Sequence, residues 1–325
     1  MKPRKAAVIG IGHVGAHVAN VLASQGTVNE LILIDKNRQK AISEVQDLRD
    51  ALLWNPHEVD IRTGDYADLK DCDIIVTSFG DIQLLVGTSD RINELAFNIK
   101  AASDVGEKIR NSGFSGVIIN ISNPCDVITR QLAVKTGLPK GHVFGTGTAL
   151  DTSRLISALS QQTGLSRQSI NAFMMGEHGN LQFSPASLVT FRGAPWKAVC
   201  PDIEIPDWKE LEKEAIQGGW VTFAGKHCTE YGISSTAARL AQAVLEDQQV
   251  LLPVSAPLTG EYGQSGLYAG VPAIIGRQGI TRVVEMPLTP EELDTFADCC
   301  DGIRKNIRKG EELDQQEDLR SPASS

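Results

Sequence analysis

Ala6-Ala7-Val8-Ile9-Gly10-Ile11-Gly12-His13-Val14-Gly15 is followed, twenty residues beyond Gly15, by Asp35 at the end of Leu31-Ile32-Leu33-Ile34. The four apolar residues before Gly10 read as a short buried strand. Val14, Val18, Val21 and Leu22 then keep helical spacing as far as Gly26. The order is strand, G-x-G-x-x-G, helix, strand, acid, and each part has a physical task. Gly10 allows a tight turn, Gly12 lets the backbone approach a pyrophosphate, and Gly15 lets the helix lie close to the strand. His13 and Val14 complete the turn, where free N–H groups and the positive end of the helix dipole hold phosphates. Asp35 can accept hydrogen bonds from both ribose hydroxyls and would repel a 2′-phosphate, so NAD is expected rather than NADP. A glycine turn with no ligand is the competing reading. The flanking strands and the distance of the acid weigh against it.

At 325 residues and 42% apolar, the chain can bury an ample core and is long enough for two domains. A net charge of −9 argues against nucleic acid as a partner, because phosphate binding needs a basic face. No apolar run approaches the ~18 residues of a membrane span. Met1-Lys2-Pro3-Arg4-Lys5 imitates a signal peptide only faintly, since the glycines that follow belong to the nucleotide turn and no small-residue cleavage site appears. The six cysteines (72, 125, 200, 228, 299 and 300) show no C-x-x-C pair and no regular spacing. Buried thiols in a reducing compartment are expected, with no metal site and a cytoplasmic location.

Beyond Asp35, helix over 38–55, strand over 59–62 and strand over 73–78 continue the alternation of a parallel sheet, which binds ligands at the carboxyl ends of its strands. Gly80 therefore lies at the active edge. Residues 81–90 read as an irregular loop, a lid with a hinge at Gly87 or an ordinary connection, and a helix over 91–111 starts directly after it. Arg91 is unusual at a helix start, where the dipole disfavours a cation; an anionic ligand or pairing with Asp90 or Glu94 accounts for it. Strand 116–121 ends at Ser122-Asn123-Pro124-Cys125-Asp126, so Asn123 can hold a ligand or simply serve the turn. Strand 142–145 closes this half, giving an NAD-binding domain over 1–147 and a substrate domain over 148–325. In the second half, Asp151 and Arg154 share a face of the helix over 150–163, as an ordinary salt bridge would also require. Residues 172–175 read as a strand before Gly176-Glu177-His178-Gly179-Asn180. Residues 211–248 read as helix interrupted near Gly218-Gly219 and Gly225, and segments near 252–254, 272–275 and 282–286 as an antiparallel sheet. Thr289-Pro290-Glu291-Glu292 starts a last helix, expected to reach about 307 before a frayed tail. The fold class is thus α/β, a Rossmann doubly wound parallel sheet followed by an α+β substrate domain with antiparallel strands.

Several runs together resemble the L-2-hydroxy-acid dehydrogenases of the lactate/malate dehydrogenase superfamily, most closely the L-2-hydroxyisocaproate dehydrogenases. They are the Gly10–Gly15 turn, 121–126, Gly145-Thr146-Gly147-Thr148-Ala149-Leu150-Asp151-Thr152-Ser153-Arg154, 176–180, Thr229-Glu230-Tyr231-Gly232-Ile233 and Pro272-Ala273-Ile274-Ile275-Gly276-Arg277. They cover nearly the whole chain. The resemblance implies that His178 is the acid–base residue and that Asp151 orients it and stabilises its protonated form. It also implies that Arg154 clamps the substrate carboxylate and that Arg91 polarises the reacting carbonyl from a closing loop. Asn123 would contact the reacting oxygen or the nicotinamide ribose, with Thr229 and Ile233 lining the substrate side chain and the nicotinamide ring. A small 2-oxo or 2-hydroxy acid is the implied partner, and a homotetramer or dimer the implied assembly.

Departures from the family pattern bear on specificity. The malate enzymes carry a loop arginine for a second carboxylate, and here none precedes Arg91. Lactate enzymes carry a glutamine, which Gln83 matches when counted from Gly80; counted back from Arg91, Leu85 takes that place. An apolar Leu84-Leu85-Val86 lid favours a medium-chain or branched substrate such as 2-oxoisocaproate, at about 0.8 kcal/mol per added methylene, with pyruvate as the alternative. Ile156 and Asn171 stand where many bacterial lactate enzymes place the arginine and histidine that bind fructose 1,6-bisphosphate, so no such activation is expected. A non-catalytic NAD-binding protein predicts loss of His178, Asp151, Arg154 or Arg91, and all four are present. An NAD-dependent glycosidase would require metal ligands near the cofactor, and the sequence alone identifies no such set.

Overall fold

A computed structural model describes residues 3–85, 91–204 and 207–318. The first half runs β1 (Lys5–Ile9), α1 (His13–Ser24), β2 (Glu30–Ile34), α2 (Arg38–Leu52), β3 (Asp60–Thr63), β4 (Ile74–Thr77), α3 (Leu95–Asn111), β5 (Val117–Asn120), α4 (Cys125–Thr136) and β6 (Val143–Gly145). These six strands are all parallel, in the spatial order β3-β2-β1-β4-β5-β6. This is the doubly wound Rossmann arrangement. Its central strands are unbroken Ala, Val, Ile and Leu because both faces are covered, and Val8, Ile32, Ile75 and Ile118 have no exposed surface. Each such aliphatic side chain contributes about 1.5–3 kcal/mol of burial. Gly10 has φ +91°, and a Cβ there would strike the Ser78 carbonyl, so the turn after β1 tolerates glycine alone.

The second half runs α5 (Ala149–Thr163), β7 (Ile170–Asn171), β8 (Met175–Gly176), β9 (Gln182–Phe183), β10 (Thr190–Phe191), α6 (Trp196–Val199), α7 (Trp208–Lys226), α8 (Tyr231–Leu245), β11 (Val250–Thr259), β12 (Ser265–Gly276), β13 (Gly279–Val283) and α9 (Pro290–Asp318). β11 joins β6 antiparallel, with Ser255 opposite Gly145, and carries the main sheet on through β12 to β8 and β9. The sheet is therefore continuous across the two halves. A smaller core of Leu155, Leu159, Met174, Trp196 and Leu211 packs among α5, α6 and α7. No described helix is long and apolar enough to cross a membrane.

Four expectations are corrected. Residues 172–174 form no strand, because the chain there crosses from the small β7–β10 ribbon to β8 in the main sheet. The break expected at Gly218-Gly219 or Gly225 falls instead at His227, in the left-handed region (φ +63°), and α7 passes straight through all three glycines. The α-helix expected from 91 begins at Leu95, after a 3-10 turn Arg91–Glu94, and a second such turn, Ile82–Leu85, occupies part of the loop read as irregular. α9 reaches Asp318 rather than stopping near 307. Asp314 accepts hydrogen bonds from Ser103 and Gln131, and Glu311 pairs with Arg130 at 2.8 Å, so contacts with α3 and α4 hold its last turns.

Candidate active site

The carboxyl ends of β1, β4 and β5 meet the start of α5, the β8 turn and the 227–230 connection around a cavity of ≈ 680 Å³. Its cofactor side is built from the glycine turn. α1 begins at His13 with no side-chain cap, leaving the N–H groups of its first turn for an anion. A Cβ on Gly12 would meet nothing within 4 Å, so the backbone faces an open cradle that a pyrophosphate fits. Gly15 is needed for packing, since a Cβ there would overlap the Gly10 carbonyl. Asp35 follows β2 and holds the turn: Ile11 N–H donates to its Oδ2 at 2.7 Å and Asn37 N–H to its Oδ1 at 2.8 Å. Each carboxylate oxygen keeps a second lone pair for a ribose hydroxyl.

Further in, Asn120 at the end of β5 is fully buried and fixes the next turn. It accepts from Thr77 Oγ1 and donates to the Ser122 carbonyl and Thr129 Oγ1, each at 3.0 Å. The Asn123 carbonyl accepts from Asn98 Nδ2 at 2.6 Å. Three buried polar atoms on the cavity wall, Ser122 Oγ, Asn123 Oδ1 and Thr229 Oγ1, have no protein partner among the described residues. Buried polar atoms are rarely left this way, and a polar ligand in the cavity satisfies them.

Asp151 lies in the first turn of α5 and is 1% exposed. Its Oδ2 is 2.6 Å from His178 Nδ1, and its Oδ1 accepts from Arg154 Nη1 at 2.7 Å. Burial alone would push this carboxyl up; the His178 charge and hydrogen bond, with Arg154, outweigh it and hold it below its ordinary value. A carboxylate can only accept, so His178 Nδ1 carries a proton and Nε2 remains for chemistry in the cavity. The Asp151–Arg154 salt bridge and the Asp151–His178 contact are therefore one arrangement around a single carboxylate. Behind it, Asp126 is 1% exposed and accepts from the His178 N–H at 2.9 Å and from Ser255 Oγ at 2.5 Å. With no cation within pairing distance among the described residues, burial pushes its carboxyl up to about 6.

His178, Asp151, Arg154, Asn123, Thr229, Ile233, Gly80, Gln83, Gly12, His13 and Val14 all border the cavity. Gly10, Gly15 and Asp35 do not line it and act through the turn. The side chains of Arg91 and Leu85, and the Gly87 hinge, lie outside the described residues. Sequence reasoning missed the α7 wall, Ile216, Gly219, Trp220 and Phe223. Their i, i+3, i+4, i+7 spacing was the available signal, but that stripe reads as core until a cavity is placed beside it. It also missed Asp126, quoted only within a run. Gln83 borders the cavity, and the alternative at that place, Leu85, has its side chain outside the described residues.

Residues 4–145 match the lactate/malate dehydrogenase NAD-binding domain, and residues 148–314 match the lactate/malate dehydrogenase alpha/beta C-terminal domain. The chain is 37% identical over 314 residues to an L-lactate dehydrogenase of Fusobacterium nucleatum, covering 95% of this chain and 98% of that one. It is 38% identical over 296 residues to L-lactate dehydrogenase 1 of Bifidobacterium longum, covering 90% and 93%. The ligands-bound structure of the minor L-lactate dehydrogenase from Enterococcus mundtii superposes with a TM-score of 0.90 at 30% identity, over 95% of this chain and 99% of that one. NAD is the cofactor of the matched domain. With both domains matched and the cradle, histidine, aspartate and arginine assembled in one cavity, the chain belongs to the lactate/malate dehydrogenase family, NAD-dependent oxidoreductases acting on the CH–OH group of 2-hydroxy acids.

Proposed function

We propose that this protein is an L-lactate dehydrogenase, interconverting pyruvate and L-lactate. The observation that carries this reading is Asp151 joining His178 and Arg154 beneath the unpartnered Asn123 and Thr229 oxygens, with Gln83 at the mouth. Bound NADH supplies the hydride. Arg154, oriented by Asp151, offers the rest of its planar guanidinium edge to the substrate carboxylate as two parallel hydrogen bonds. His178 Nε2 donates a proton to the 2-oxo oxygen, and Asp151 stabilises the imidazolium before that transfer and orients the ring throughout. Asn123, on the cavity wall, is assigned by resemblance to contact the reacting oxygen or the nicotinamide ribose. Arg91 is assigned by resemblance to polarise the carbonyl when the 81–90 loop covers the site. Two functional halves dividing at Gly147, and a homodimer or homotetramer in a reducing cytoplasm, accompany this proposal; sedimentation equilibrium tests the assembly.

A second reading, a longer aliphatic 2-oxo acid such as 2-oxoisocaproate, is favoured by the apolar wall of Ile216, Trp220 and Phe223. NADH oxidation with pyruvate, 2-oxobutyrate, 2-oxoisocaproate, phenylpyruvate and oxaloacetate separates the two. The highest kcat/KM is expected for pyruvate and the lowest for oxaloacetate. A rise from pyruvate to 2-oxoisocaproate assigns the α7 wall, rather than Gln83, as the determinant, and no turnover with any of them overturns both readings. Ile156 packs on the smaller core and Asn171 Nδ2 reaches Thr190 Oγ1 at 3.5 Å, so neither offers a charge to a phosphate. Adding fructose 1,6-bisphosphate is accordingly expected to leave the apparent KM unchanged, and a clear fall would refute that expectation.

A further inference from the structure

Where His13 and Cys228 border the cavity, three side chains of different chemistry converge from two elements. His13 opens α1, while Cys228 and Glu230 lie in the connection between α7 and α8. One ligand-capable atom from each, an imidazole nitrogen, a thiol sulfur and a carboxylate oxygen, falls within 4.8 Å of the others. Glu230 is held in a fixed pose. Lys226 Nζ takes its Oε2 at 2.5 Å, and its Oε1 faces His13 Nδ1 at 3.6 Å. His17, one turn along the same face of α1, has its Nδ1 3.9 Å from that oxygen but bound to the His13 carbonyl at 2.7 Å, so it stands behind the cluster. The reaction proposed above uses none of Cys228, Glu230 and the His13 ring.

We propose that His13, Cys228 and Glu230 form a three-ligand site for a soft divalent cation, Zn²⁺, with the fourth position open to water. The donor set is one that zinc prefers. Bond lengths of about 2.0–2.3 Å to N, O and S place tetrahedral ligands ~3–4 Å apart, within a rotamer adjustment of the present spacing. Carboxylate and thiolate together balance the ion's charge. The thiol must release its proton on binding, so affinity falls as pH drops. The Lys226 charge opposes the ion and keeps affinity below that of a closed structural site. Because the ligands come from α1 and from the segment before α8, the ion fastens the glycine turn to the opposite wall of the groove.

The test uses the full-length apo protein and needs no turnover. Co²⁺ is titrated as a spectroscopic probe, Zn²⁺ is then added to displace it, and melting is followed with and without Zn²⁺. One equivalent of Co²⁺ per chain is expected, giving tetrahedral visible bands and a sulfur-to-cobalt charge-transfer band, with Tm rising on Zn²⁺ addition. Cys228→Ser removes the charge-transfer band, and His13→Ala weakens binding by at least about 100-fold, more than loss of an outer partner would. The His13 side chain is 78% exposed, so His13→Ala folds and keeps the test decisive if Cys228→Ser does not. Cys200→Ser, in the smaller core, leaves the spectrum unchanged. Binding that survives His13→Ala, or a cobalt spectrum without a thiolate band in the unmodified protein, overturns the proposal.

Discussion

Replacing Asp151 by asparagine isolates what its charge does. The amide has nearly the same shape and keeps one acceptor oxygen for the His178 Nδ1 proton, so packing around this 1%-exposed residue is preserved. What disappears is the negative charge behind the imidazolium, 2.6 Å from Nδ1, and behind Arg154, 2.7 Å from Nη1. Two unit charges about 4 Å apart attract by about 4 kcal/mol at an effective dielectric near 20. Part of that is recovered as the site relaxes, leaving about 3–4 kcal/mol. Since about 1.4 kcal/mol is a factor of ten, kcat/KM for reduction of the 2-oxo acid should fall about 10²–10³-fold near neutral pH. NADH absorbance gives the rate, and quenching of protein fluorescence gives the NADH dissociation constant. That constant should change less than about twofold, because the glycine turn and Asp35 are untouched, a negligible shift against the 1.4 kcal/mol per decade scale. Binding of oxamate, an unreactive pyruvate isostere, to the NADH complex should weaken along with kcat/KM. A loss of less than tenfold in kcat/KM, or an equal loss in NADH affinity, would refute the electrostatic role and leave Asp151 a packing residue.

Three other perturbations read separate parts of the site. In Gly218→Ala the new Cβ would lie 3.0 Å from Arg154 Cδ and displace the guanidinium by a few tenths of an ångström. KM for the 2-oxo acid should rise about 3–10-fold with kcat little changed, while helix propensity holds or raises Tm by relieving about 1 kcal/mol of glycine cost; an unaltered KM counts against the clamp. Asp126→Asn tests the buried carboxyl, whose value is raised to about 6. A raised acid contributes stability in its protonated form, fully present below its unfolded value and lost as pH rises through about 6. The wild type should therefore lose about 3 kcal/mol relative to this variant between about pH 4 and 7, and parallel Tm curves across that window would show the reasoning to be wrong. Asp35→Ser removes both the anchor of the Ile11 N–H and the repulsion of a 2′-phosphate. NADH should bind about tenfold more weakly, near 1.4 kcal/mol, with NADPH gaining relative to it; fluorescence titration of both dinucleotides checks this, and retained discrimination would place the selectivity elsewhere.

Local sequence determined the nucleotide-binding half almost completely. An apolar run, three glycines at fixed spacing, a helical stripe and an acid are all short-range signals, and a parallel sheet covered on both faces leaves few ways to satisfy them. The start of α9 was equally legible, because Thr289 and Glu292 exchange cap hydrogen bonds within one turn. Its end was not, since Asp314 is held by Ser103 and Gln131, far away in the chain. Gly218-Gly219 looked like a helix break because glycine is a poor helix former. Only packing against Arg154 explains why two of them stand in the middle of α7. The same holds for the site. Asp151 and Arg154 could be paired from their spacing, and His178 was found through a motif. That one carboxylate serves both partners, that Asp126 supports the His178 turn from beneath, and that the Ile216, Trp220 and Phe223 stripe faces a cavity rather than a core were decided by the tertiary fold. Periodicity and local turn chemistry are properties of neighbouring residues. Burial, charge pairing and the shape of a cavity are properties of residues that only folding brings together.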